Sequence, residues 1–173
     1  LDKDGGLLLY GTKSSVISSD EAAWVGYRQK HHEFTAETCI EFGDIFDGGE
    51  AGLSVYMNNK HHYELAVTVI EGVKWLIFRR CIGSLINEEK ITTLNNDTVR
   101  VRLEALKNEN GENIYCFSYN RDENWIKAGE GEAAYLEVGG KFTGNYIAIY
   151  ASGNGKENMK AVKFDMFDYK GMI

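Results

Sequence analysis

Apolar and polar side chains alternate over most of this chain, and the alternation repeats in short runs. It is clearest over residues 98–106, where Val99, Val101, Leu103 and Ala105 point one way and Arg100, Arg102 and Glu104 the other. A period of two residues is the mark of a half-buried β-strand. Residues 34–42 repeat it, with Ala36 and Ile40 set against Thr35, Glu37 and Glu41. Residues 51–57, 63–70, 73–81 and 114–119 read the same way, and short apolar runs at 6–10 and 23–29 add two more strands. The connections carry turn chemistry: Asn58-Asn59-Lys60, Glu71-Gly72 and Asn108-Glu109-Asn110-Gly111. Near the C-terminus, Ile147, Ile149 and Ala151 share one face of a strand. In the strand after it, Val162, Phe164 and Met166 alternate with Lys163, Asp165 and Phe167. By that alternation Asp165 and Asp168 fall on opposite faces, where they do not ligate one ion. Residues 82–96 are weaker, with a short strand near Leu85-Ile86, and one helical turn is expected around residues 130–136.

About ten short strands with Gly, Asn and Asp turns predict an all-β fold: a two-sheet antiparallel β-sandwich or a closed barrel. At 173 residues the chain is long enough for one domain with its own core. The hydrophobic share of 43% fits a folded domain. The net charge of −7 argues against nucleic acid or an anionic membrane as partner, since Lys and Arg do not cluster. No Gly-rich phosphate loop lies between a strand and a helix, so a nucleotide fold has no support.

Three cysteines, Cys39, Cys81 and Cys116, are odd in number and match no zinc spacing. Each lies in an apolar run and reads as a buried reduced thiol, which leans toward a reducing compartment such as the cytoplasm. The pairs His31-His32 and His61-His62 read as surface or loop histidines, because neighbours on a strand point to opposite faces and do not chelate together. No cofactor is expected. The one candidate metal site is the acidic turn holding Asp44, Asp47 and Glu50, which could offer oxygen ligands to Ca²⁺. Its bland alternative is a solvated turn guarding a sheet edge. Trp24, Trp75 and Trp125, with Tyr27 and Tyr150, are candidates to stack against sugar rings, set against ordinary packing.

Several stretches, in order, resemble one known family: Gly6-Leu-Leu-Leu-Tyr-Gly11, Val25-Gly-Tyr-Arg-Gln29, Ala51-Gly-Leu-Ser-Val-Tyr56, Ile114-Tyr-Cys-Phe-Ser-Tyr119 with Asp122 and Trp125, Phe142-Thr-Gly144, Ile147-Ala-Ile-Tyr-Ala151, and Phe164-Asp-Met-Phe-Asp with Tyr169. They are similar to the C-terminal concanavalin-A-like β-sandwich of family-43 glycoside hydrolases, the β-xylosidase and α-arabinofuranosidase group. The sequence departs from the family at Asp122-Glu-Asn-Trp125, which lacks the usual Asp-Gly turn, and family members carry a first strand upstream of the Leu-Leu-Leu run.

The resemblance implies a concanavalin-A-like jelly roll over residues 1–173, a single domain and a C-terminal fragment of a longer glycosidase that lacks its catalytic propeller. It implies that the acid and base carboxylates lie in that propeller, the partner of this domain within the parent chain. The implied role is a non-catalytic accessory module of a xylan-degrading enzyme, with no catalytic residue of its own. It would stabilise the propeller and shape its pocket through Phe142. The alternative is a free carbohydrate-binding or lectin-like module for xylo- or arabino-oligosaccharides. A self-contained sandwich glycosidase would need two facing carboxylates, and the sequence shows no such pair on one strand.

Overall fold

A computed structural model of the chain describes residues 5–18, 22–43, 45–138, 144–157 and 160–172. The described residues form two six-stranded antiparallel sheets. In the first sheet the spatial order is β1 (Leu7–Leu9), β12 (Val162–Gly171), β3 (Phe34–Glu41), β8 (Thr98–Lys107), β9 (Asn113–Arg121) and β10 (Asn124–Glu132). In the second it is β2 (Ala23–Arg28), β11 (Tyr146–Ser152), β4 (Glu50–Asn58), β5 (His61–Ile70), β6 (Val73–Ile82) and β7 (Leu85–Thr93). One short helix, α1 (Ala133–Glu137), follows β10, where the sequence predicts a helical turn. The expected sandwich is what forms.

The alternation explains the stacking. Phe34, Ala36 and Ile40 of β3 join Val101 and Leu103 of β8 and Phe117 of β9 on the inner face of the first sheet. Leu53, Val55, Leu65, Leu76, Phe78 and Ile147 meet them from the second. Each fully buried side chain of this size is worth about 1.5–3 kcal/mol against exposure, so this layer carries the stability. Phe78 and Phe117 touch across the sheets, ring centroids 5.3 Å apart. Two glycines of β10 make room for rings from the second sheet. A Cβ on Gly129 would lie 2.2 Å from Phe78, and one on Gly131 would lie 2.5 Å from Tyr63. The close approach is what requires glycine there.

The structure corrects the sequence reading in three places. Residues 85–93 form a full nine-residue strand rather than a short one. This strand is the sheet edge, and its charges pair across to β6: Arg79 with Glu88, Arg80 with Glu89. Second, β12 carries a bulge between Phe164 and Phe167. Thr38 of β3 anchors it, donating from Oγ1 to the Met166 carbonyl at 2.5 Å. The extra residue reverses the alternation. Phe167 and Tyr169 therefore stand opposite Thr38 and Ala36 on the inner side, and Asp168 stands opposite Glu37 on the outer face. Asp165 also lies on the outer face, beside Lys163 at 3.5 Å, so the two aspartates share a face after all. Each has its own lysine, Lys163 for Asp165 and Lys170 for Asp168. Third, His62 is fully buried rather than on the surface. It faces outward from β5, stacked on Tyr56 at 5.6 Å, with Nδ1 3.1 Å from the Asn58 carbonyl.

Of the thiols, all three are free, and only Cys81 is buried. Cys39 and Cys116 are half-buried. Both stand at outward positions of β3 and β9, opposite Arg100 and Glu104, and so lie on the outer face of the first sheet.

Candidate functional site: the outer face of the second sheet

β5 is buried along almost its whole length, on both faces. The inner face is the core. The outer face is covered by a strap, residues 11–18, that crosses it beside β11. Thr12 bridges to Ser152, the Gly153 amide donates to the Thr12 carbonyl, and Ser152 Oγ donates to the Ser14 carbonyl. Val16 then packs with Ala66, Ile77 and Tyr150, flanked by Trp24, Tyr56 and Trp75.

Beneath this cover lies a charge network. Arg79 points outward from β6, and its guanidinium meets three carboxylates. Nη1 and Nη2 reach Glu50 Oε1 and Oε2 at 2.8 and 2.7 Å, a bidentate pair. Nη1 also donates to Glu64 Oε2, while Nε and Nη2 donate to Glu88 Oε2 at 3.0 and 2.8 Å. Every N–H of the fork is thereby used. Tyr150 donates to Glu50 Oε1 at 2.5 Å and lies 3.2 Å from Glu64 Oε2. Gly52 sits between Tyr150 and Ala66 in register, and a Cβ there would lie 2.7 Å from the Ala66 Cβ. This low floor leaves the long side chains room to lie across the sheet.

The electrostatics follow from burial. Burial by itself would raise the pKa of Glu64. The contact with His62, Nε2 to Oε1 at 3.2 Å, and the charge of Arg79 outweigh it and hold Glu64 below its ordinary value. Burial opposes the charge on Arg79 as well, and Glu50 and Glu64 more than offset it, so its pKa is raised. Burial foremost, then the nearby Glu50 and Glu64, pushes the Tyr150 hydroxyl well up. Some polar atoms on this face have no partner: Ser54 Oγ, directly across from Glu64, and Trp24 Nε1.

Two carboxylates, Glu50 and Glu64, are thus brought together from adjacent strands. The sequence did not show this pair, because they lie on different strands. A glycosidase needs one carboxyl protonated as general acid and solvent space beside the other. Here one guanidinium binds both, Glu64 is held ionised, and both are buried. The arrangement is a structural ion network and does not fit acid–base hydrolysis.

The sequence-predicted site residues fall in several places, two of them outside the described residues. Asp44 lies outside the described residues, Asp47 Oδ1 accepts from the Gly72 amide at 3.0 Å, and Glu50 is held by Arg79. Among the described residues no three His, Cys, Asp or Glu side chains gather as metal ligands. Trp24 and Trp75 lie on β2 and β6, and Trp125 lies on the other sheet. Trp125 is covered by Arg102, whose guanidinium carbon is 3.9 Å from the ring centroid, and Lys90 sits 4.9 Å over Trp75. Trp24 alone has aromatic company, with Tyr56 and Tyr146 at 5.5 and 5.7 Å. Phe142 lies outside the described residues. Just before β11, Asn145 Nδ2 donates to the Tyr115 hydroxyl of β9 at 2.6 Å, and that hydroxyl donates to Gln29 Oε1 at 2.7 Å. Burial pushes that hydroxyl up to about 12.

Comparison with known proteins gives a consistent result. A family profile described as the β-xylosidase C-terminal concanavalin A-like domain matches residues 1–170. The chain is 29% identical over 173 residues to the non-reducing end α-L-arabinofuranosidase BoGH43B of Bacteroides ovatus, covering 98% of this chain and 32% of that protein. It is 27% identical over 168 residues to a xylosidase/arabinosidase of Butyrivibrio fibrisolvens, covering 96% of this chain and 32% of that one. The fold superposes on a solved Bacteroides ovatus structure, the xyloglucan-locus GH43B, with a TM-score of 0.85 and 27% identity, over 96% of this chain and 33% of that one. It also superposes on the xylan β-1,4-xylosidase of Bacillus halodurans with a TM-score of 0.80 and 20% identity, over 98% of this chain and 35% of that one. The chain therefore spans about a third of the length of these relatives. By the reach of that profile and these matches, it belongs to the family of C-terminal concanavalin-A-like domains found in family-43 glycoside hydrolases.

Proposed function

We propose that this chain is the non-catalytic accessory module of a family-43 glycosidase acting on xylo- or arabino-oligosaccharides, and that it braces the catalytic propeller and shapes one wall of its pocket. The observation that carries this reading is the match over residues 1–170 to a domain that makes up about a third of its relatives. The charge network supports it, since the buried carboxylates Glu50 and Glu64 on the second sheet are locked by Arg79.

The distribution of exposed apolar side chains supports a docking end. Among the described residues, Leu85, Ile86, Tyr135, Val138 and Met172 are exposed. These five of the ten exposed large apolar side chains among the described residues lie at the end of the sandwich where β11 begins and β12 finishes, while Tyr10 and Val73 are exposed at the opposite end. Exposed apolar groups gathered in one region mark a contact surface. Phe142 is our candidate for the pocket wall. In the full-length enzyme, Phe142→Ala should lower kcat/KM for xylobiose by about tenfold, the scale of one lost apolar contact. An unchanged kcat/KM would refute the pocket-shaping role.

A second reading, a carbohydrate-binding module, draws on the half-buried Trp24 between Tyr56 and Tyr146. It requires saturable binding of xylo-oligosaccharides by calorimetry that Trp24→Ala abolishes.

A further inference from the structure

A polar pocket of about 730 Å³ opens at the end of the first sheet where β8 begins and β9 finishes. The β7–β8 connection brings Asn95 and Asn96 to it, β8 brings Arg100, β9 brings Asn120 and Arg121, and the turn after β9 brings Asp122. Arg100 stands opposite Cys39 and Asn120 opposite Trp125, both on the outer face of the sheet. Arg100 is held in place by Glu37, which accepts from Nη2 at 2.9 Å, and by the Trp125 ring, whose centroid is 5.6 Å away. It shares that carboxylate with Arg102. Arg121 has no carboxylate partner among the described residues: its Nη2 donates to Thr92 Oγ1 at 3.0 Å, and its guanidinium carbon lies 5.8 Å from the Tyr119 ring centroid. Those contacts fix the fork and leave most of its donors unused. The side-chain amides of Asn95, Asn96 and Asn120 likewise have no hydrogen-bond partner among the described residues. A guanidinium fork matches a carboxylate, and side-chain amides donate to and accept from hydroxyl groups.

We propose that this pocket binds the uronic-acid residue of an acidic oligosaccharide, with Arg121 taking the carboxylate and the amides of Asn95, Asn96 and Asn120 taking the ring hydroxyls. The inference rests on the reading of this chain as one module of an enzyme that acts on oligosaccharides. The lining selects this class of ligand. A bare anion such as phosphate would meet the Asp122 carboxylate and leave the amides idle. A neutral sugar would leave the Arg121 fork without a charged acceptor. An acidic sugar answers both, with a carboxylate for Arg121 and hydroxyls that donate to Asp122 and pair with the amides. The net charge of −7 gives the chain no general attraction for anions, so recognition is local to Arg100 and Arg121. The pocket lies on the first sheet, whereas Trp24 lies on the second, so this site is separate from the aromatic group around Trp24.

Calorimetric titration of the full-length polypeptide tests the proposal with methyl β-glucuronoside and methyl β-glucoside, which differ only in a carboxylate against a hydroxymethyl group. The glucuronoside should bind saturably and about tenfold more tightly than the glucoside, the scale of hydrogen bonds to a charged group on an open surface. Arg121→Met should remove that tenfold preference, and Asn120→Ala should weaken both sugars by about threefold. Equal affinity for the two sugars, or no binding of either, overturns the proposal. Acetate that binds as tightly as the glucuronoside also overturns it, since the pocket would then hold a carboxylate alone. Glucuronoside binding that neither variant weakens assigns the sugar to another part of the polypeptide and removes the site as well. Turnover of aryl xylosides by the same preparation keeps the two readings apart. Turnover without glucuronoside binding leaves the accessory role standing and removes this inference. Binding without turnover does the reverse.

Discussion

Arg79 is the residue whose loss says most about this sandwich. In Arg79→Met the side chain keeps its apolar stem and loses the five N–H donors that meet Glu50, Glu64 and Glu88. Glu88 is partly exposed and can return to water, whereas Glu50 and Glu64 are 3% and 0% exposed and cannot. Removing one partner of a buried ion pair costs about 3–5 kcal/mol, because the remaining charge is stranded. Two carboxylates are stranded here, so we expect the upper part of that range from urea unfolding followed by tryptophan fluorescence.

The pH dependence adds a sign. In the native protein Glu64 is held below its ordinary value, so its contribution is present above the unfolded carboxylate pKa of about 4.3 and is lost as pH falls through the lower folded value. In Arg79→Met only the His62 contact is left to oppose burial, so the folded pKa of Glu64 rises relative to the native protein. The variant therefore gains less stability than the native protein as pH rises through the carboxylate range. The difference in stability between native protein and variant should therefore widen from about pH 4 to about pH 7. A cost below about 1 kcal/mol, or a difference that narrows with rising pH, would refute the account of this network.

Other substitutions probe other parts of the account. Tyr150→Phe removes the hydroxyl donated to Glu50 and should cost about 1–3 kcal/mol in the same urea assay. Gly129→Val drives a branched side chain into the Phe78 ring and should cost about 1–3 kcal/mol or more; a neutral result would mean that β10 packs differently. Burial, the leading cause at each site, raises the pKa of all three thiols, so alkylation by iodoacetamide at neutral pH should be slower than for free cysteine. Faster alkylation would show an activating neighbour.

Much of this fold was legible in the sequence because one face of most strands is core. β8 reads correctly because Val99, Val101, Leu103 and Ala105 all face inward, and β3 follows it residue for residue in register. Two elements defeat that logic. The β7 strand has no buried residue, so its Asn87-Glu88-Glu89-Lys90 stretch carries no apolar period; cross-strand charge pairing with β6 holds it instead. The bulge in β12 breaks the count of two, and no residue at 165 or 166 announces it.

The charge network was missed for a related reason. Charged residues read as solvent-facing until tertiary structure says otherwise. One signal was available: Glu64 stands within Tyr63-Glu64-Leu65-Ala66-Val67, an apolar stretch typical of a strand covered on both faces. A charge inside such a run needs a buried counter-charge, although its identity as Arg79 is fixed only by the pairing of β5 with β6.

The account's central claim is that this sandwich supports a catalyst and is not one. The most direct test is turnover of aryl β-xylosides and aryl α-arabinofuranosides by the purified 173-residue chain. The account predicts no hydrolysis above the no-protein control at any pH. Turnover near about 1 per second, within the range of ordinary enzymes, would contradict it.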